Sequence, residues 1–135
     1  MKSYCLIGLP HSGKTLFGNI VSLSKNKKYF DSDILLKRKF NKDLNDILKS
    51  KGELEYLKEE TSIIKNINKN NILLSSSGSI VYSNKAMIHI KEKLDCEIIH
   101  LKLSFPEFIK RIDDYNNRGI VNPNNLSLNN LYYER

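Results

Sequence analysis

The stretch SYCLIGLPHSGKT, residues 3–15, decides how the chain is read. Its first part, Ser3 to Leu9, is a short apolar run of strand character, and a helical pattern from about Lys14 to Ser24 follows it. Between the two, Gly8-Leu9-Pro10-His11-Ser12-Gly13-Lys14-Thr15 has the spacing G-x-x-x-x-G-K-[ST]. Glycines at both ends let the backbone wrap, so that successive N–H groups point inward at phosphate oxygens. The helix that opens next adds the partial positive charge of its N-terminus. Lys14 puts a compact ammonium on the β/γ-phosphates, and the Thr15 hydroxyl can ligate Mg²⁺. Residues Gly8, Pro10, His11, Ser12, Gly13, Lys14, Thr15 and Leu16 are therefore expected to hold a nucleoside polyphosphate. A chance match would have to set the whole motif in register between the right strand and the right helix.

Outward from this loop, strand and helix signals alternate. Lys28 to Phe30 is a second strand, ending at Asp31-Ser32-Asp33. Helices are expected at about 33–40, at 43–50 with Asp43 as cap, and at 52–68. Asn71 to Ser75 is a third strand that runs into Ser76-Ser77-Gly78-Ser79. A helix over about 83–94 places Ala86, Met87, Ile90 and Leu94 on one face. Glu97 to Leu103 is a fourth strand, and Ser104-Phe105-Pro106-Glu107 forms a capping box that opens a helix to about Ile112. Residues 113–126 are polar and Asn-rich and read as a mobile lid, after which Ser127 caps a last helix. The pattern predicts an α/β fold: a parallel sheet of four strands between two helical layers, with the site at the strand C-termini.

A length of 135 residues accommodates a single domain, 1–135, with no visible linker or repeat. The N-terminus has no signal-peptide architecture, and no apolar run approaches the ~20 residues of a membrane span. Cys5 and Cys96 sit in apolar runs and read as buried free thiols of a cytoplasmic protein. Lys and Arg number 22 against 15 Asp and Glu, a formal charge of +7 that attracts anions. The lysines are scattered, with no arginine-rich arm and no basic run of about five or more, so neither nucleic acid nor membrane is the expected partner.

Asp31 and Asp33 close the second strand beside the loop. One can hold Mg²⁺ through its water shell while the other contacts an acceptor hydroxyl; alternatively Asp33 is the cap of the following helix. Arg118 is a candidate for closing over a transferring phosphate, or else a solvated loop cation. His11, His89 and His100 have no metal-ligand partner at usable spacing and read as bystanders.

These residues together resemble the shikimate kinase family of P-loop small-molecule kinases over essentially the whole chain. Gly8 to Thr15 matches its phosphate loop, and Phe30-Asp31-Ser32-Asp33 is similar to its D-[TS]-D segment. Asp46-Ile47-Leu48 through Lys51-Gly52-Glu53-Leu54-Glu55-Tyr56 is similar to its I-x-x-[IL]-F-x-x-x-G-E-x-x-F stretch. Asn117-Arg118-Gly119 falls where its lid has N-x-R-P, and Tyr133-Glu134-Arg135 resembles its [YE]-x-R. The resemblance implies a three-layer α/β/α P-loop kinase fold that moves the γ-phosphate of ATP, with Mg²⁺, to a hydroxyl of shikimate or a similar small molecule. It implies Lys14, Asp33 and Arg118 as catalytic residues and Thr15 and Asp31 at the metal. Asp33, Ser77, Gly78 and Arg135 would face the acceptor, with Arg135 on its carboxylate.

The departures gather on the acceptor side. Leu57 stands where the family has an arginine for the shikimate carboxylate, Ser76-Ser77-Gly78 where it has three glycines, and Gly119 where it has proline. The sequence stops at Arg135, ahead of an expected fifth strand and closing helix; an unpaired sheet edge there would favour a dimer or a borderline-stable domain, and the expected state is a monomer or weak homodimer. Two further readings keep the phosphate loop: a kinase-fold protein that binds nucleotide without catalysis, and a kinase with a different acceptor.

Overall fold

In the computed structural model, residues 1–111 and 120–135 are described. Ser3–Ile7 forms β1, which stops where Gly8 turns to φ 151°. Then follow α1 (Lys14–Ser24), β2 (Lys28–Asp31), α2 (Ser32–Phe40), α3 (Leu44–Lys51), α4 (Glu53–Lys65), β3 (Ile72–Ser75), α5 (Asn84–Ile88), β4 (Cys96–His100), α6 (Phe105–Arg111) and α7 (Leu128–Glu134). The four strands form one sheet in the order β2-β3-β1-β4, and every pairing is parallel. The α/β fold with a four-stranded parallel sheet is therefore as expected. One cross-strand row runs Asp31, Ser75, Leu6, Ile99, so Asp31 ends β2 level with the residues just below the loop.

The sheet is apolar on both faces because each is covered. Cys5, Ile72, Leu74 and Cys96 pack with Ile64 of α4, with Ile67 just past that helix and with Ala86 and Ile90. A second cluster, Leu36, Leu44, Ile47, Tyr56 and Ile63, joins α2, α3 and α4 and takes in Val121. A third, Leu9, Leu103 and Phe108, with Phe105, Ile120 and Tyr132 at its edge, ties the loop to α6 and α7. Both thiols are free and buried, and burial pushes Cys5 up to about 12. No helix among the described residues is long and apolar enough to cross a membrane.

Three elements differ from the sequence reading. β4 ends at His100, because Leu101 N still donates to Ile7 O but Leu103 turns away to pack on Leu9 and Phe108. α4 ends at Lys65, where Asn66 N reaches the Ser62 and Ile63 carbonyls and Ile67 folds into the core. The helix expected over 83–94 runs from Asn84 to Lys93, α5 capped by Ser83 passing directly into a π turn at His89–Lys93, with a separate 3₁₀ turn at Ile80–Tyr82 ahead of it. The expected face survives, with Ala86, Ile90 and Leu94 buried. Within the lid expected at 113–126, residues 113–119 lie outside the described residues, Arg118 among them. The part from 120 onward is tied down: Val121 is buried, Asn122 N donates to Glu53 Oε1 at 2.8 Å, and the Asn122 side chain bonds Leu126 N and O.

Helix α1 meets the sheet through small residues. Lys14, Gly18 and Ser22 form its buried row, while Leu16, Ile20 and Leu23 point outward, Leu23 being 83% exposed. A Cβ on Gly18 would lie 2.6 Å from Ser75 Oγ and 2.7 Å from Tyr29 Cε2, so the helix can approach this closely only with glycine there. Gly18→Ala is expected to lower stability by about 1–3 kcal/mol through overpacking. Thermal denaturation of the purified variant checks this, and an unchanged midpoint would refute the close-packing account.

Candidate active site

The loop is held from inside by its own lysine. Lys14 is buried, and its Nζ donates to Gly8 O and Leu9 O at 2.8 Å each and to Ser12 Oγ at 3.4 Å. A buried ammonium is costly unless several acceptors surround it, and the loop carbonyls supply them. The backbone pays for this wrap in conformation: Gly13 has φ 91° and His11 φ 63°, the latter a left-handed value for a residue with a side chain. Arg111, in the last turn of α6, reaches across to steady it, its Nη1 donating to His11 O at 2.6 Å.

Asp31 does two things at once. Its Oδ1 accepts from Asp33 N and Ile34 N and so caps α2, which makes Asp31, not Asp33, the cap residue. Asp33 accordingly sits in the first turn of α2 and not on the strand end. The other oxygen, Asp31 Oδ2, accepts from Thr15 Oγ1 at 2.9 Å and lies 3.1 Å from Tyr29 Oη. Tyr29 Oη is also 3.0 Å from Ser75 Oγ, which donates to Lys14 O. Burial first, and the Asp31 carboxylate further down, push the Tyr29 phenol up to about 12. Among the described residues no three His, Cys, Asp or Glu side chains converge as a metal cage. The Thr15 hydroxyl beside the Asp31 carboxylate is a different donor set: two hard oxygens, suited to Mg²⁺ that takes its remaining ligands from phosphate and water.

Asp33 borders three cavities, one of about 450 Å³ running along α2 past Thr15, Asp31 and Asp43, and two on the loop side. A cleft of about 380 Å³ is lined by His11, Gly13, Lys14, Thr15, Leu16, Asp31, Ser75 and Arg111, with Asp33 on its wall. The other, of about 20 Å³, is lined by Pro10, Tyr56, Ser77, Gly78, Ser79 and Arg135, again with Asp33. The smaller one has room for about one water. In it Arg135 lies over the Tyr82 ring at 5.2 Å and donates through Nη2 to Val121 O, while its buried Nε has no hydrogen-bond partner among the described residues. Gly78 lets the chain pass between Pro10 and Arg135, for a Cβ there would come within 2.8 Å of Pro10 Cδ. Behind this wall Glu60 is fully buried, with its two carboxyl oxygens 2.9 and 2.8 Å from Ser79 Oγ.

The structure thus gathers Lys14, Thr15, Asp31 and Asp33 around one cleft with His11, Gly13 and Leu16, and Ser77, Gly78 and Arg135 around the other with Pro10. Gly8 and Ser12 shape the loop through Lys14 instead of lining the cleft. Leu57 packs at the edge of the α2–α4 cluster. Arg111, Tyr29, Ser75 and Glu60 were missed by sequence reading. A basic residue in the last turn of α6 carries no sign that it reaches a carbonyl a hundred positions away, and Glu60 looks like one more charge on an acidic helix.

A parallel sheet in this order, with a lysine-bearing loop between β1 and α1 and a carboxylate at the end of β2, defines a P-loop phosphotransferase. The comparisons narrow the class. The shikimate kinase family model matches residues 10–135. The shikimate kinase of Clostridium botulinum is 32% identical over 141 aligned positions, spanning 100% of this chain and 81% of that one. In structure, the shikimate kinase of Aquifex aeolicus superposes with a TM-score of 0.82 and 25% identity, over 98% of this chain and 78% of that one. The Acinetobacter baumannii shikimate kinase, in complex with shikimate, has the same fold, with a TM-score of 0.81 and 19% identity over 93% of this chain and 69% of that one. The chain belongs to the shikimate kinase family, a family of ATP-dependent small-molecule kinases.

The double use of Asp31 can be separated by mutation. Asp31→Ala, which removes the cap, is expected to cost about 1 kcal/mol in urea denaturation, whereas Asp31→Asn keeps a capping oxygen and most of the stability. Equal losses in the two variants would mean that the charge at Thr15, not the cap, holds this corner.

Proposed function

We propose that this chain moves the γ-phosphate of Mg-ATP to a hydroxyl of shikimate. The observation that carries the reading is the position of Asp33, which borders both the phosphate cleft and the acceptor cavity. A carboxylate there can accept a hydrogen bond from the acceptor hydroxyl and aim its oxygen at the γ-phosphorus, taking the proton as the new P–O bond forms and the bond to the β,γ-bridging oxygen breaks to release ADP. Lys14 exchanges the Gly8 and Leu9 carbonyls for the β/γ-phosphate oxygens, with no new side chain needed to bring it there. Thr15 and Asp31 are the residues that would hold Mg²⁺, which when bound would neutralise charge on the transferring phosphate. Arg118 is assigned, from the family resemblance, to the same charge. Catalysis of this kind is mostly positioning and electrostatics.

Arg135 is the guanidinium offered to the acceptor's carboxylate, and its buried Nε is the donor left over for it. With Leu57 in place of a second arginine, the carboxylate forgoes one charged hydrogen-bond partner, which amounts to about 1.5–3 kcal/mol. Weak shikimate binding is the expected consequence. Nucleotide binding without catalysis is the competing reading, and the small acceptor cavity, about 20 Å³, favours it.

ADP release from Mg-ATP, with and without shikimate, decides between them. Shikimate is expected to stimulate release. Lys14→Ala should cut that rate by about 10²–10³-fold or more while circular dichroism stays unchanged. ATP binding by calorimetry without any shikimate-dependent ADP would overturn the proposed activity.

A further inference from the structure

Glu60 is a buried carboxyl that the transfer chemistry leaves unused. It sits on α4 with no solvent contact, yet it is wired to the acceptor cavity: Ser79 Oγ is 2.8–2.9 Å from its oxygens, and Ser77 Oγ is 3.1 Å from Ser79 Oγ. Ser77 and Ser79 both line that cavity. Each hydroxyl has a single proton to give. When Glu60 is ionised, Ser79 donates to it and Ser77 donates inward behind Ser79, so the wall offers lone pairs beside a negative charge. When Glu60 is protonated, its O–H donates to Ser79, Ser79 can donate to Ser77, and the Ser77 hydroxyl is released to donate into the cavity. Charge and hydrogen-bonding sense reverse together.

We propose that Glu60, acting through Ser79 and Ser77, is a positioning residue that sets the acceptor cavity for an anionic substrate, admitting it when protonated and opposing it when ionised. The inference rests on the reading that the acceptor is shikimate, a carboxylate-bearing polyol. The charged groups that act on Glu60 from neighbouring elements are Asp33 of α2 and Arg135 beyond α7. Burial holds the Glu60 proton up to about 7, with Ser77 and Ser79 pulling the other way, Asp33 adding to the rise and Arg135 opposing it. The reversal therefore falls inside the working range of a soluble assay. An ordinary carboxylate on the acceptor stays ionised throughout that range.

The test is the KM for shikimate at saturating ATP from about pH 6 to 8.5, for the wild type, Glu60→Gln and Ser79→Ala, with the KM for ATP as internal control. In the wild type the shikimate KM should climb above neutrality, approaching tenfold per pH unit as binding comes to require uptake of one proton. Glu60→Gln, permanently neutral, should be flat across the range and at or below the wild-type value at low pH. Ser79→Ala removes a donor to the ionised form and cuts the relay to Ser77, so the climb should move to higher pH and become shallower; an unchanged climb in this variant overturns the inference if Glu60→Gln does not fold. The KM for ATP should follow one profile in all three. A wild-type shikimate KM that ignores pH, or a Glu60→Gln KM raised at every pH as a purely structural residue would give, overturns the inference and leaves the proposed activity standing. Absence of shikimate-dependent turnover at any pH removes both.

Discussion

A buried ammonium organises this molecule. Lys14 Nζ lies among the Gly8 and Leu9 carbonyls and the Ser12 hydroxyl, and the loop around it adopts left-handed conformations at His11 and Gly13 that it would not keep alone. The charge is tolerated because the loop's oxygens replace its water, and the loop is kept in shape because the charge needs those oxygens. In the proposed activity the same oxygens are a holding position, from which the lysine would exchange them for phosphate oxygens. Preorganisation of this sort moves the cost of arranging the site from the moment of binding to the moment of folding.

Around that centre, single residues carry several structural duties. Asp31 ends a strand, caps a helix and faces the Thr15 hydroxyl. Ser75 ends β3, bonds the Lys14 carbonyl and meets Tyr29. Gly18 is small so that Tyr29 and Ser75 can stand where they do. Such economy follows from geometry: the C-terminal edge of a narrow parallel sheet presents few positions, and helix starts, loop and ligand all compete for them.

The phosphate side was legible in the sequence because its signal is local. Eight consecutive residues, a strand before them and a helix after them fix Lys14 and Thr15, and the next strand delivers Asp31 with no long-range information needed. The cavity proposed for the acceptor could be anticipated only through likeness to a family, because its lining comes from the loop after β1, α2, α3, α4, the segment after β3 and Arg135. Glu60 shows why periodicity cannot find it. In GELEYLKEETSII, Glu55 is paired with Lys58 at the surface and Glu59 with Lys39, yet Glu60 alone turns inward, because the loop after β3 brings two hydroxyls to meet it. The end of α4 was misplaced for a similar reason: the helix stops at Lys65, where Ile67 folds into the core, and nothing in the local pattern marks that stop.

The strand order has a consequence for how the protein is made. β1 and β2 follow each other along the chain but never touch; β3, more than forty residues after β2 ends, slots between them. On a ribosome, a nascent chain that has already exposed Gly8 to Thr15 and Asp31 therefore has every phosphate-binding residue of the motif and no site. The sheet that carries both Thr15 and Asp31 is complete only once residues 72–75 emerge and pair with both neighbours. Closing that gap requires the intervening helices to be gathered first, a non-local step of the kind that slows folding. Until then Cys5 and Leu6 of β1, both fully buried in the finished sheet, lack the strand that covers them, and the interval between the synthesis of β2 and β3 is when this chain is most open to mispairing.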